Sequence, residues 1–128
     1  MVKRAKPLPL PAKLQAIADA ALDKKAEGVV SLDVHDVSGY ADAFLICAGS
    51  HSKHNQAIAD NILRRLKDEG EAALGAEGMD PGQWILIDAG DVIVHIFDEP
   101  SRQHYNLEQL WNDVPRVYYD HDSVKAAK

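Results

Sequence analysis

Six histidines, one cysteine and two close aspartates are the residues here whose chemistry could extend beyond packing. His51 and His54 stand at i and i+3 near an expected helix start, a spacing that puts both rings on one face. A zinc site needs three or four ligands in tetrahedral array, and His95 and His104 could join only through a tertiary approach. These histidines therefore read as surface or capping side chains, and no metal or other cofactor is expected. Ser50, His95 and Asp91 are the right types for a nucleophilic triad. No Gly-x-Ser-x-Gly elbow surrounds Ser50, however, and Ser50 or Ser52 reads instead as a helix N-cap. Asp88 and Asp91 could share a proton or hold a cation, although aspartates at a hairpin end also serve plain backbone turns. Cys47 lies inside an apolar run, where a buried, inert thiol is expected.

The elements that must position these residues follow from hydrophobic periodicity. Leu14, Ile17, Ala18, Ala21 and Leu22 form a helical stripe, which Glu27-Gly28 is expected to end. Val29 to Val34 alternates as a half-buried strand, and Ala43 to Ala48 is apolar on both faces, as an interior strand should be. Gly49-Ser50 opens a second helix with the stripe Ile58, Ala59, Ile62, Leu63 and Leu66, closed by Gly70. A short strand at Leu74 to Glu77 precedes two clear ones, Trp84 to Asp88 and Asp91 to Phe97. A third helical region runs from about Glu99 through Trp111, with Leu107, Leu110 and Trp111 as its docking residues. This order of elements predicts an α/β fold with a mixed sheet flanked by helices.

If the last hairpin closes through Ala89-Gly90, Asp88 faces Asp91, Ile87 faces Val92, Leu86 faces Ile93 and Trp84 faces His95. Ile85, Ile87, Val92, Val94 and Ile96 then form one aliphatic core face. The opposite face carries Trp84, Leu86, Asp88, Asp91, Ile93, His95 and Phe97. Trp is the residue most enriched among binding hot spots, and a Trp beside Leu, Ile and flanking acids suits a protein-docking patch. The alternative is that a helix covers this face and Trp84 belongs to the core.

Composition narrows the function classes. The chain has 128 residues and a net charge of −6. Its length suits a single domain, and its lone cysteine rules out an internal disulfide framework. Residues 1–25 carry six basic and two acidic groups, whereas the remainder carries eight basic and eighteen acidic. A body that acidic repels phosphate at long range and suits a basic partner surface. DNA is excluded as a partner and little direct RNA contact is expected. No apolar run approaches the ~20 residues of a membrane helix. Nor does the start resemble a secretory signal, so a cytoplasmic location without membrane contact is expected. Residues 1–11 hold three prolines and three basic groups and read as a disordered arm. Residues 12–117 read as the domain, and 118–128 as a polar tail.

Two resemblances emerge from the strings themselves. A strand ending in Gly49-Ser50 and feeding a helix resembles the phosphate-side motif of the nucleotidyltransferase superfamily. Those enzymes also need paired carboxylates to hold two metal ions across an in-line transfer. Here Asp60 stands alone after the turn, and no P-loop or dinucleotide glycine fingerprint is present.

The stronger resemblance covers about four-fifths of the chain, from Leu14 to Pro115. The strings Asp42-Ala43-Phe44-Leu45-Ile46-Cys47-Ala48-Gly49-Ser50, Ala57-Ile58-Ala59-Asp60 and Glu77-Gly78 resemble the ribosomal silencing factor, or Iojap-related, family. So do the whole segment Trp84 to His95 and Tyr105-Asn106-Leu107-Glu108-Gln109-Leu110-Trp111. The resemblance implies a single α/β domain with a mixed sheet of about five strands, nucleotidyltransferase-like but without the catalytic carboxylates, and no enzyme activity. It implies docking on the large ribosomal subunit at the protein numbered fourteen of its intersubunit face, which blocks joining of the small subunit and represses translation under nutrient limitation. A part in large-subunit assembly is also implied, and a homodimer off the ribosome is a further possibility. Position by position, Trp84, Leu86, Asp88, Asp91, Ile93 and His95 match the segment expected at the contact, and Arg102, Tyr105 and Trp111 match the closing helix. His51 stands where relatives usually carry a small hydroxyl residue, and Lys53 where Arg is common.

Overall fold

The computed structural model describes residues 8–37, 39, 41–120 and 124–126. Its elements are α1 (Leu10–Asp23), β1 (Glu27–Asp33), β2 (Ala43–Gly49), α2 (Ser52–Asp68), β3 (Gly75–Glu77) and β4 (Trp84–Asp88). β5 (Val92–Asp98), α3 (Glu99–Tyr105), α4 (Leu107–Leu110), β6 (Arg116–Tyr119) and β7 (Val124–Ala126) complete them. One mixed sheet runs in the order β3-β4-β5-β2-β1-β6-β7. β2 and β5 are parallel at its centre, and each other neighbouring pair is antiparallel.

All seven residues of β2 are buried, because this strand has a neighbour on each edge and a cover on each face. One face packs on α1 and α2 through Leu45, Cys47, Ile85, Ile87, Val94 and Ile96, against Ile17, Ala21, Ile58 and Ile62. The other gathers Val30, Leu32, Phe44, Ile46, Ile93 and Phe97 beneath α3, α4 and the turn that follows. Both helical stripes and the aliphatic hairpin face thus lie where their periodicity puts them. Cys47 is fully buried, and loss of solvation pushes its thiol up to about 12.

The sheet departs from expectation in its ends and registers. Seven strands stand in place of about five, because the chain past Val117 does not remain a tail. Val30, Ser31 and Leu32 of β1 pair with Tyr118, Val117 and Arg116 of β6, and β7 pairs in turn with β6. The boundary expected at 117 therefore falls inside a strand. At the other end, α1 begins at Leu10, within the segment read as an arm, and residues 1–7 lie outside the described residues. α1 ends at Asp23, Lys25 takes φ +64°, and Glu27-Gly28 opens β1 instead of merely closing the helix.

The β4–β5 hairpin pairs Asp88 with Ile93, Ile87 with Val94, Leu86 with His95 and Trp84 with Phe97. This is two residues out of the expected register, so every side chain keeps its face. The shift arises at the turn, where the Asp88 carboxylate accepts the Gly90 N–H at 3.0 Å and the Ala89 N–H donates to the Val92 carbonyl at 2.9 Å. The expected third helix is broken in two by Asn106, whose φ of +48° and ψ of +52° lie in the left-handed region that Asn tolerates better than most residues. Among the described residues, no helix is long and apolar enough to cross a membrane.

Gly78 joins the short edge strand β3 to β4. It has φ +82°, and a Cβ there would run into the Trp84 carbonyl oxygen. Gly75, in the same edge region, has open space around it. Gly78→Ala is therefore expected to lower stability by about 1 kcal/mol or more, read as a shift of the urea midpoint, while Gly75→Ala leaves the midpoint nearly unchanged.

Candidate partner-binding face

The mixed face of the hairpin becomes an aromatic layer once the strands are paired. On β4 and β5 the alternation brings Trp84, Leu86, Ile93, His95 and Phe97 to one side, next to Phe44 and Ile46 of β2. Phe44 meets His95 edge-on at 5.3 Å and Trp111 edge-on at 5.7 Å between ring centroids. Trp84 stacks on Phe97 at 5.1 Å, and the Tyr105 ring lies over Trp84 at 4.4 Å. Such offset and edge-on pairs add to simple area burial. α3 and α4 cover this face, as the alternative reading expected, but the cover is incomplete and Trp84 is only half-buried. Phe97, Phe44, Ile93 and His95 are buried, Trp84, Leu86, Leu107 and Trp111 are half-buried, and Tyr105 and Leu110 remain 48% and 70% exposed.

His95 is the polar member of this layer. Its Nδ1 accepts the indole N–H of Trp84 at 3.1 Å, which fixes that nitrogen as unprotonated. Burial lowers its pKa to about 4, because the charged imidazolium loses its hydration there. His95 therefore belongs to the scaffold beneath the surface.

The acidic pair stands at the hairpin end, as the sequence places it, and both carboxylates have partners within the chain. Asp88 closes the hairpin turn, and Asp91 accepts a hydrogen bond from Lys13 Nζ at 2.7 Å. Lys13 is itself buried; it also donates to the Ala89 carbonyl at 2.6 Å and lies 3.4 Å from Glu71. Asp91 is thus committed to fastening α1 to the hairpin end. Both aspartates sit at the opposite end of the hairpin from Trp84, Asp88 about 13 Å along β4 and Asp91 farther still. The structure brings Trp84, Leu86, Ile93, His95 and Tyr105 together; Asp88 borders that group as the ladder partner of Ile93, and Asp91 lies beyond it in the turn.

Arg102 is also turned inward. Its Nε and Nη2 reach the two Glu108 oxygens at 2.8 and 3.0 Å, and Nη2 also donates to the Gly28 carbonyl at 2.8 Å. Burial opposes its charge, but the Glu108 hydrogen bond and charge outweigh this and raise its pKa.

No triad forms. Ser50 bonds His54, His95 bonds Trp84, and Asp91 bonds Lys13. His51, rather than Ser50 or Ser52, caps α2, accepting the His54 N–H on Nδ1 at 3.2 Å. His54 accepts the Ser50 N–H on Nδ1 at 2.8 Å and donates from Nε2 to the Lys24 carbonyl at 2.6 Å. It therefore links the end of α1 to the start of α2. Among the described residues, no group of three His, Cys, Asp or Glu side chains could hold a metal ion.

The sequence reading missed Leu110 as a surface residue and Phe44 as a centre of the aromatic layer. The Asn106 break turns Leu110 outward, and an Asn inside an apolar helical pattern was the available signal. Phe44 sits in a strand apolar on both faces, where nothing distinguishes one face from the other.

The neutral His95 has a pH consequence. An unfolded imidazole titrates near 6.5 and this one near 4, so the unfolded chain binds more protons between those values. Its contribution to stability is complete above pH 6.5 and is lost as pH falls toward 4. Chemical denaturation at about pH 7.5 and about pH 4.5 should show a loss of about 2 to 3 kcal/mol from this group. That part of the pH dependence should vanish in His95→Gln, which keeps an acceptor for the indole but does not titrate.

With this geometry in hand, comparison with known proteins is specific. The model of the family described as "Ribosomal silencing factor during starvation" matches residues 7–128. A protein of Halalkalibacterium halodurans named ribosomal silencing factor RsfS is 45% identical over 104 residues, covering 81% of this chain and 89% of the relative. Its namesake in Bacillus subtilis is 44% identical over 107 residues, covering 84% and 91%. A crystal structure of a Chromobacterium violaceum protein superimposes with a TM-score of 0.80 at 28% identity, over 82% of this chain and 88% of that one. The chain belongs to the ribosomal silencing factor family, a family of translational regulators and not of enzymes.

Proposed function

We propose that this protein docks through the aromatic face onto the protein numbered fourteen on the intersubunit side of the large ribosomal subunit. There it sterically blocks joining of the small subunit and represses translation when nutrients fall. One observation carries the reading: Tyr105 stands exposed over half-buried Trp84, and Leu110 is exposed on the α4 cover, on a chain of net charge −6. An apolar centre on an acidic body fits a basic ribosomal partner, since buried aromatic anchors supply most binding energy and complementary charge speeds encounter.

The anchors differ from a simple reading of the hairpin. Tyr105, Leu110 and the outer edges of Trp84 and Leu86 make the contact, and Ile93 and His95 support them from beneath. Asp88 and Asp91 contribute to the acidic field without pairing directly with the partner. A homodimer off the ribosome would use the same patch. Assembly of an immature large subunit would use it too, because the docking site would be common to both roles.

The test is co-sedimentation with isolated large subunits, small subunits and joined ribosomes at two salt concentrations. The wild type is expected on free large subunits alone, less so at high salt. Leu110→Asp and Tyr105→Ala, at exposed positions, should keep the fold and weaken binding by about 2 kcal/mol each. Wild-type affinity in a folded Leu110→Asp would reject the face, and equal binding to joined ribosomes would reject the blocking mechanism.

A further inference from the structure

The cover of the aromatic face has little to hold it. α3 has seven residues and α4 four, and neither contains a buried residue. Helices this short are unstable on their own, and Asn106 breaks the hydrogen-bond ladder between them. Three half-buried side chains, Leu107, Trp111 and Val114, provide the apolar grip. Tyr105, the most exposed ring of the face, sits at the junction of the two helices.

Arg102 supplies the polar grip across that junction. From α3 it reaches forward to both carboxylate oxygens of Glu108 on α4, and its Nη1 and Nη2 reach back to the carbonyls of Glu27 and Gly28 at 3.3 and 2.8 Å. One guanidinium thus ties α3, α4 and the start of β1 together. Gly28 makes room for it: at φ +59°, a Cβ there would press on Arg102 Nη1 and Cζ. Arg116 adds weaker links from β6, with its Nη2 donating to the carbonyls of Glu108 and Trp111 at 3.3 and 3.4 Å. Only a planar fork satisfies a bidentate carboxylate and two carbonyls at once, and a lysine ammonium cannot.

We propose that Arg102 is a positioning residue for ribosome docking: it clamps α3, α4 and β1 so that Tyr105 and Leu110 are held in their binding arrangement before the partner arrives. The inference rests on the docking reading above and assigns Arg102 a role without partner contact. Preorganisation of this kind raises affinity by removing the ordering cost from the binding step. Gly28 belongs to the same device, as the position whose missing side chain admits the guanidinium.

The experiment compares wild type, Arg102→Lys, Gly28→Ala and Leu110→Asp in two assays. One is co-sedimentation with large subunits; the other is amide hydrogen exchange resolved along the chain. Arg102→Lys is expected to bind about tenfold more weakly, the scale of losing a charge-assisted hydrogen bond. Its exchange should quicken across 99–111 but not in β2 or β5. Gly28→Ala, which alters no residue of the face, should show the same pattern. Leu110→Asp should lose binding while 99–111 keeps wild-type exchange. Wild-type affinity in either clamp variant overturns the proposal. Weakened binding with unchanged exchange in 99–111 also overturns it, by making Arg102 a direct contact, and leaves the docking reading intact. Failure of the wild type to bind, or full binding by Leu110→Asp, overturns the docking reading and the clamp's function with it.

Discussion

The constraint on which this structure depends is that β2 is apolar on both faces and sits at the centre of the sheet, parallel to β5. A parallel pair buried in this way needs a cover on each side. α1 and α2 provide one cover with two long apolar stripes. The other side receives only two short helices without a single buried residue. Side chains of the sheet itself make up the difference: Phe44, Phe97, Trp84 and His95 lie flat or edge-on over β2 and β5, and Trp111 and Tyr105 close over them. Placing an imidazole in that layer is tolerable because the Trp84 indole satisfies its Nδ1.

Because the cover is thin, the side chains that seal this half of the core also form the surface above it. Tyr105 is stacked on Trp84 from below and open to solvent from above. Packing and recognition are therefore coupled here. A substitution at Trp84 would remove the floor under Tyr105 and the donor to His95 together, so its effect on binding could not be separated from its effect on folding. Leu110, 70% exposed, lies outside that network, so the proposed docking is separable from stability there, whereas Tyr105 shares its ring contact with Trp84.

The parts legible in the sequence were those set by local periodicity. Alternation in Ile85, Ile87, Val92, Val94 and Ile96 identifies the core face of the hairpin, and it survives a register error of two because the side-chain period is two. The turn itself was not legible, since its hydrogen bonds from Asp88 and Ala89 depend on backbone geometry that composition does not fix. Long-range partners were hidden for a different reason. Asp91 meets Lys13 across 78 positions and Arg102 meets Gly28 across 74, so both looked like free surface charges. Tyr118 and Tyr119 likewise read as the start of a tail because the partner of β6 is β1, far away in sequence.

These internal pairings change how the acidity of the protein acts. Lys13 is committed to Asp91 and Glu71, and Arg102 to Glu108, so these carboxylates are already matched within the chain. Pairing two opposite charges leaves their sum unchanged, however, and the long-range field depends on that sum and on what remains exposed. Glu77, Asp80, Glu99 and Asp113 stay exposed in the segments leading into β4 and through the α3–α4 cover. In the proposed docking, attraction of a basic partner therefore comes from the distributed field, which raises the encounter rate and weakens with salt. Retention in that docking falls to the apolar centre, where Tyr105 and Leu110 shed water. The proposed docking thus assigns the two tasks to different side chains, and the internal ion pairs serve neither directly: they tie α1 to the hairpin end and α3 to α4.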